Sequence, residues 1–318
     1  MKVLANDGLT QSGIDALKNN GFEVITDKVP QEELISYINE NQVSVLLVRS
    51  ATKVTKEMID QCPSMTIIGR GGVGMDNIEV AYAREQGKHV INTPAASSES
   101  VAELVFAHLF SGARFLQDSN RQMPVKGNTE FAKLKKAYEK GIELRGKTIG
   151  IVGIGRIGQE VARIALGLGM KVIASDTHIG KASVRVDFYN KQYIDVEIET
   201  EPLEELLQHS DFITLHVPAQ NGAIIGKAQL DMMKQGAAIV NCARGGVIDE
   251  AALIEALDAG KISFAGLDVF ENEPTPSDAI LSHYKISLTP HTGAATEEAQ
   301  DRIGTELASQ IASILLVK

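Results

Sequence analysis

Short apolar runs alternate with stretches of helical spacing through the first third of the chain. Residues 3–5, 22–25, 45–48, 66–68 and 90–91 are mostly apolar runs, whereas residues 11–20, 31–39, 55–61 and 78–86 place apolar positions three and four apart. Runs without polar alternation belong to strands covered on both faces, and the helices between them supply the cover. The pattern predicts a small parallel α/β unit of flavodoxin-like kind.

Residues 92–100 form a turn-rich connection into a long helix, with Ser100 and Glu103 at capping-box spacing and Val101, Leu104, Val105, Leu109 and Phe110 on its core face. The lysine-rich residues 117–140 predict a surface loop and a short helix between domains. From Thr148 the alternation resumes, with strands at 149–152, 172–174, 212–215, 238–240, 264–267 and 286–288 making a doubly wound parallel sheet. The last helical pattern, 296–316, follows that sheet and is placed back on the first domain. The expectation is a two-domain α/β chain. Residues 1–99 and 291–318 form a discontinuous substrate domain, residues 100–290 form a Rossmann domain, and the two crossings form a hinge.

The first strand of the second sheet runs into Gly153-Ile154-Gly155-Arg156-Ile157-Gly158, a helix follows over 157–168 with Gly169 as its stop, and Asp176 ends the next strand. A dinucleotide needs this order. Gly153 permits the tight turn, Gly155 lets a pyrophosphate reach the backbone, and Gly158 lets helix and strand pack closely. The first helical turn, with Arg156 and Ile157, offers free N–H groups to the phosphates. Asp176, about 20 residues on, can accept from a ribose 2′-hydroxyl and repels a 2′-phosphate, so the expected cofactor is NAD rather than NADP.

Composition narrows the partners. A net charge of −10 argues against nucleic-acid and anionic-membrane surfaces, which need basic patches. Cys62 and Cys242 lack thiol or histidine neighbours at ligand spacing, so neither a disulfide framework nor a metal site is expected, and a reducing, cytoplasmic compartment fits. The opening residues are too short an apolar stretch for a signal peptide, and no apolar run reaches membrane-spanning length.

Ligands of open α/β sheets sit beyond the carboxyl ends of the strands. Three polar residues fall there: Arg244, Glu273 and His291. Histidine titrates near working pH and suits the proton transfer that accompanies hydride movement at a carbinol carbon. Glu273 can fix its tautomer, and Arg244 can grip a carboxylate in a fork. Taken singly each is more often a loop residue or an ion pair; their shared placement favours 2-hydroxy acid chemistry. His216 ends a strand on the same side, while His89, His108, His178, His209 and His283 show no partner pattern.

Residues 241–250, containing Arg244-Gly245-Gly246, residues 266–274 and residues 289–295 resemble the D-isomer-specific 2-hydroxyacid dehydrogenase family, and the likeness covers essentially the whole chain. It implies that the family's arginine, glutamate and histidine fall on Arg244, Glu273 and His291. It also implies that Val217, Cys242, Asp268 and Gly293 line the NAD pocket, and that a homodimer forms through the nucleotide domains. Residues 47–55 and 68–77 are similar to the branch acting on 3-phospho-D-glycerate, with hydroxypyruvate or glyoxylate reductases as the near alternative and an NAD-sensing corepressor as the distant one. Arg49 and Arg70 would then bind the phosphate, unless they form structural ion pairs. The N–H groups of Val73 and Gly74 would hold the carboxylate. Two positions depart from the pattern: Lys133-Leu134-Lys135-Lys136 stands where relatives carry a phosphate-binding arginine from another subunit, and Ser97 where some have asparagine. Feedback through additional regulatory domains is not expected.

Overall fold

The apolar runs of the first unit become β1 (Lys2–Ala5), β2 (Glu23–Ile25), β3 (Val43–Val48), β4 (Ile67–Arg70) and β5 (His89–Asn92), all parallel, in the order β2-β1-β3-β4-β5. The computed structural model describes Met1 to Leu316 and divides the chain into two units, Met1–Ser98 together with the chain from Ala294, and Glu99–Gly293. Between the strands lie α1 (Gln11–Asn19), α2 (Leu34–Asn41), α3 (Lys56–Gln61) and α4 (Val80–Glu85). Local chemistry sets the helix starts: the hydroxyls of Thr10 and Thr55 accept from the backbone N–H of Gly13 and Met58, satisfying donors that a first helical turn leaves open. Residues 31–33, expected within α2, form a turn instead.

The second unit opens with α5 (Ser98–Ala113) and α6 (Leu116–Ala137), and both correct the sequence reading. Helix α5 begins at Ser98, so Ser100 lies inside it rather than at its cap. Its buried stripe is Val101, Ala102, Val105, Phe106, Leu109 and Ala113, while Phe110 sits at the edge, 41 % exposed. The surface loop and short helix expected at 117–140 are one long helix, kinked at Glu130 and containing Pro124. Its lysine, leucine, glutamine, alanine, arginine, methionine and glutamate residues favour helix intrinsically, a preference that an apolar-stripe criterion does not register.

The remaining elements are β6 (Thr148–Val152), α7 (Arg156–Gly167), β7 (Lys171–Ser175), β8 (Lys181–Asp187), β9 (Tyr193–Glu199), α8 (Leu203–His209), β10 (Phe212–Leu215), α9 (Lys227–Met232), β11 (Ala237–Asn241), α10 (Glu250–Asp258), β12 (Ile262–Leu267), α11 (Asp278–Ser282) and β13 (Ile286–Leu288). Six parallel strands run β13-β12-β11-β10-β6-β7. Outside that sheet, β8 and β9 pair antiparallel. Ala182, Val184 and Ile198 of this hairpin are buried in the same core as Val161, Ala162 and Ala165 of α7. Its period-two alternation is present in the sequence, with Ala182, Val184 and Ile198 on the buried face. Among the described residues no helix is long and apolar enough to cross a membrane.

The last helix, α12 (Glu297–Leu316), returns to the first unit and packs on α1. Small residues allow the approach: a Cβ on Gly13 would stand 2.8 Å from the Gly304 backbone. Ile303, Leu307, Ala308 and Ile311 then bury against Val3, Leu17, Val45 and Ile67. Gly13→Val should therefore destabilise the first unit by about 1–3 kcal/mol, read as a lower denaturant midpoint; an unchanged midpoint would show that the contact does not hold α12.

Candidate active site

The order of the six-stranded sheet reverses between β6 and β10, where open α/β sheets leave a crevice for ligand. Gly153 follows β6 with a left-handed φ of +94°, and a Cβ there would stand 2.5 Å from the His216 carbonyl oxygen and 3.1 Å from Val217. A Cβ on Gly158 would collide with the Gly153 carbonyl. The chain's own packing thus requires glycine at both positions. Gly155 differs: a Cβ there meets nothing within 4 Å, so its lack of a side chain keeps open the space before α7, whose first residues are Arg156 and Ile157. A pyrophosphate fits that space, against free N–H groups and a positive helix end.

Asp176 ends β7 one residue past Ser175. Its carboxylate accepts from the N–H groups of Ile154 (2.9 Å), His178 (2.8 Å) and Ile179 (3.1 Å). Burial works to raise this carboxyl, but those donors outweigh it and hold it below the usual range. The charge is thereby fixed beside the glycine loop, and with about four acceptor sites it retains capacity for a ribose hydroxyl. The residues present fit NAD. His216 donates its N–H to the Val152 carbonyl and pairs Nε2 with the Thr214 hydroxyl at 3.0 Å. Burial pushes its imidazole down to about 3, and Nδ1 is buried with no hydrogen-bond partner among the described residues.

Arg244, Glu273 and His291 follow β11, β12 and β13, three neighbouring strands. His291 Nδ1 and Glu273 Oε2 stand 2.8 Å apart. An ionised carboxylate only accepts, so Nδ1 carries the proton and Nε2 is left for chemistry. The other Glu273 oxygen accepts from the Phe270 N–H at 3.0 Å. Arg244 is oriented by Asn241, whose amide donates to the Arg244 carbonyl at 2.9 Å and accepts from the Ala243 N–H at 3.0 Å. Behind Arg244, Cys242 is buried, and burial pushes its thiol well up, with the Asp268 charge adding to the shift.

Asp268 carries more of this geometry than its sequence context suggested. It is 1 % exposed. One oxygen accepts from the Thr289 hydroxyl (2.6 Å) and the Thr292 N–H (2.8 Å), and the other from the Gly293 N–H (2.8 Å). Its backbone carbonyl accepts from the His291 N–H at 2.8 Å. His291 has a left-handed φ of +54°, a conformation costing about 1–2 kcal/mol for a residue with a side chain, and these bonds hold it there. His108 of α5, assigned nothing from sequence, braces the same loop through Thr289 Oγ1 (3.1 Å) and Ser287 Oγ (2.8 Å); burial pushes its imidazole below the ordinary value. The hydroxyls of Thr289 and Thr292, flanking Pro290 and His291, were the one signal available for this network.

In the first unit Arg49 and Arg70 stand at the carboxyl ends of the adjacent strands β3 and β4. The Asp7 carboxylate accepts from the Arg49 N–H (2.7 Å) and the Thr52 N–H (3.1 Å), and Asn77 donates to the carbonyls of Arg49 (2.7 Å) and Thr52 (2.6 Å). Burial works to raise Asp7, but the Lys28 ammonium and these donors hold it below the usual carboxylate range. Among the described residues the Arg49 guanidinium has no ion-pair partner. Arg70 folds beside Gly72. The loop bearing Val73 and Gly74 is anchored by Asn92, whose amide donates to the Val73 carbonyl at 2.7 Å, and by Thr93, whose hydroxyl accepts from the Gly72 N–H at 2.9 Å.

Known proteins resemble this chain in sequence and fold. Residues 106–293 match the profile of the NAD-binding domain of D-isomer specific 2-hydroxyacid dehydrogenases. The chain is 42 % identical over 317 residues to a D-3-phosphoglycerate dehydrogenase of Methanocaldococcus jannaschii, covering 99 % of this chain but only 57 % of that protein. It is 43 % identical to a hydroxypyruvate reductase of Thermotoga maritima, covering 98 % of this chain and 97 % of the relative. Among solved structures, D-lactate dehydrogenase of Aquifex aeolicus complexed with NAD and lactic acid superposes with a TM-score of 0.74 at 28 % identity, covering 99 % of this chain and 96 % of that one. This chain belongs to the D-isomer specific 2-hydroxyacid dehydrogenase family.

Proposed function

We propose that this chain oxidises 3-phospho-D-glycerate to 3-phosphohydroxypyruvate with NAD, a step toward serine, with the second unit as the cofactor domain and the first as the substrate domain. The observation that carries the reaction type is the His291–Glu273 pair at 2.8 Å, beyond strands neighbouring the one that leads to Arg244. Bound NAD supplies the hydride acceptor. His291 Nε2 takes the hydroxyl proton, Glu273 stabilises the imidazolium so formed, and Arg244 holds the substrate carboxylate and polarises the oxygen on the neighbouring carbon. In the reverse direction the same imidazolium returns the proton to the ketone oxygen.

The phosphate assignment is supported by Arg49, on a loop held by Asp7 and Asn77 and without an ion-pair partner among the described residues, with Arg70 on the next strand. The N–H groups of Val73 and Gly74 are assigned to the substrate carboxylate. A hydroxypyruvate reductase is the second reading, supported by the likeness to the Thermotoga protein along nearly its whole length. A homodimer through the second unit would cover Leu116, Met123, Val125 and Phe131 of α6, which are 42–78 % exposed. A cytoplasmic setting accords with the two unpaired, buried cysteines.

His291→Ala should slow single-turnover hydride transfer by about 10²- to 10⁴-fold with NADH affinity, followed by fluorescence titration, little changed; unaltered turnover would remove His291 from the chemistry. A panel of 2-oxo acids assayed with NADH and NADPH separates the substrates. Phosphohydroxypyruvate with NADH should be preferred, and Arg49→Ala should raise its KM by roughly 10- to 100-fold, the loss of a charged hydrogen bond, leaving hydroxypyruvate unaffected. Preference for hydroxypyruvate in the unsubstituted protein would establish the second reading instead.

A further inference from the structure

Two carboxylates outside the proposed machinery interlock between its loops. Glu250 is the first residue of α10, six positions beyond Arg244, and Glu271 stands two positions before Glu273. The Glu250 N–H donates to Glu271 Oε1 at 3.1 Å, and the Glu271 N–H donates to Glu250 Oε1 at 2.9 Å. Each side chain thus satisfies the other's backbone. Helix capping alone does not explain the pairing, because Asp249 already caps α10 through the Ala252 N–H at 2.9 Å. Nor does charge, since like carboxylates repel. Glu250 is 8 % exposed, and burial, with the Glu271 charge adding to it, pushes its carboxyl above the ordinary value despite the N–H it accepts.

The two loops also touch directly. A Cβ on Gly245 would collide with the Phe270 carbonyl, so the backbone after Arg244 lies flat against the backbone leading to Glu273. Glycine allows this approach but cannot fix it, because a residue without a side chain supplies no contact of its own. The paired hydrogen bonds supply the missing constraint in both directions along the chain.

We infer that Glu250 and Glu271 are positioning residues whose reciprocal hydrogen bonds hold Arg244 in register with the Glu273–His291 pair. Their function is to keep the carboxylate grip and the proton-transferring imidazole at one fixed separation, so that a 2-oxo acid held by one presents its oxygen to the other. This rests on the reading of Arg244, Glu273 and His291 as the reaction's machinery, and the controls below keep the two apart.

The test compares Glu271→Ala, Glu271→Gln, Glu250→Ala and the double Glu250→Ala/Glu271→Ala variant with His291→Ala, measuring kcat, KM for the 2-oxo acid, NADH affinity by fluorescence and the thermal midpoint. Glu271→Ala should lower kcat/KM by about 10- to 100-fold, the scale of a small misplacement of reacting groups, with NADH affinity retained. Glu271→Gln, whose amide oxygen still accepts the Glu250 N–H, should recover most of the loss, and the double variant should be little worse than the worse single one. If Glu271→Ala does not fold, Glu271→Asp, one methylene too short for the bond, replaces it. A lower thermal midpoint with kcat and KM unchanged at assay temperature would overturn the inference, as would a Gln variant as impaired as the Ala variant. If His291→Ala were fully active, the functional reading would fall instead.

Discussion

The buried carboxylate of Asp268 is the constraint on which the site depends. His291 must adopt a left-handed backbone that an ordinary residue avoids, and what keeps it there is a set of donors from Thr289, Thr292 and Gly293 converging on one side chain, with the His291 N–H on the carbonyl of the same residue. Charge-assisted bonds in a site sheltered from water are stronger than their exposed equivalents. Removing the acceptor would leave the buried Gly293 N–H unsatisfied, at a cost of about 1–3 kcal/mol, and would also release the part-buried donors of Thr289 and Thr292. The position of the imidazole is therefore set by the interior of the second unit rather than by its surface. His108 extends the same support to α5, and burial pushes its imidazole below the ordinary value.

The cofactor end follows a different logic, in which absence of side chains does the positioning. Gly153 and Gly158 are required by the chain's own backbone, whereas the space beside Gly155 is open. Asp176 links the two ends of the first βαβ crossover by accepting the Ile154 N–H, so the carboxylate assigned to the ribose also fixes the turn assigned to the pyrophosphate. Both features sit at the reversal of strand order, where the sheet itself leaves a crevice.

Most of this was legible in the sequence because it depends on local pattern. Strands buried on both faces read as apolar runs, and the glycine spacing announces its own turn. Ends of strands are countable positions, which is why Arg244, Glu273 and His291 could be grouped before any coordinate was known. Three features escaped for physical reasons. Helix α6 has no continuous apolar stripe and carries Pro124, so periodicity gave no sign of its full length. The β8–β9 hairpin alternates at Ala182, Val184 and Ile198, but it lies outside the parallel sheet, where the strand–helix alternation sets no expectation. The third class comprises contacts between residues far apart in the chain: Asp268 with Thr289 and Thr292, His108 with Thr289, and Glu250 with Glu271. No spacing rule links such pairs, and only folding brings them into contact.

The convergence of a guanidinium and an imidazole on one substrate is a spatial claim, and a crystal structure with NADH and oxamate, an unreactive 2-oxo acid analogue, addresses it directly. The oxamate carboxylate should lie in the fork of Arg244, with its neighbouring carbonyl oxygen within about 2.6–3.2 Å of His291 Nε2. An oxamate oriented by other residues, with His291 out of hydrogen-bond reach and still paired to Glu273, would contradict the assignment of acid and base.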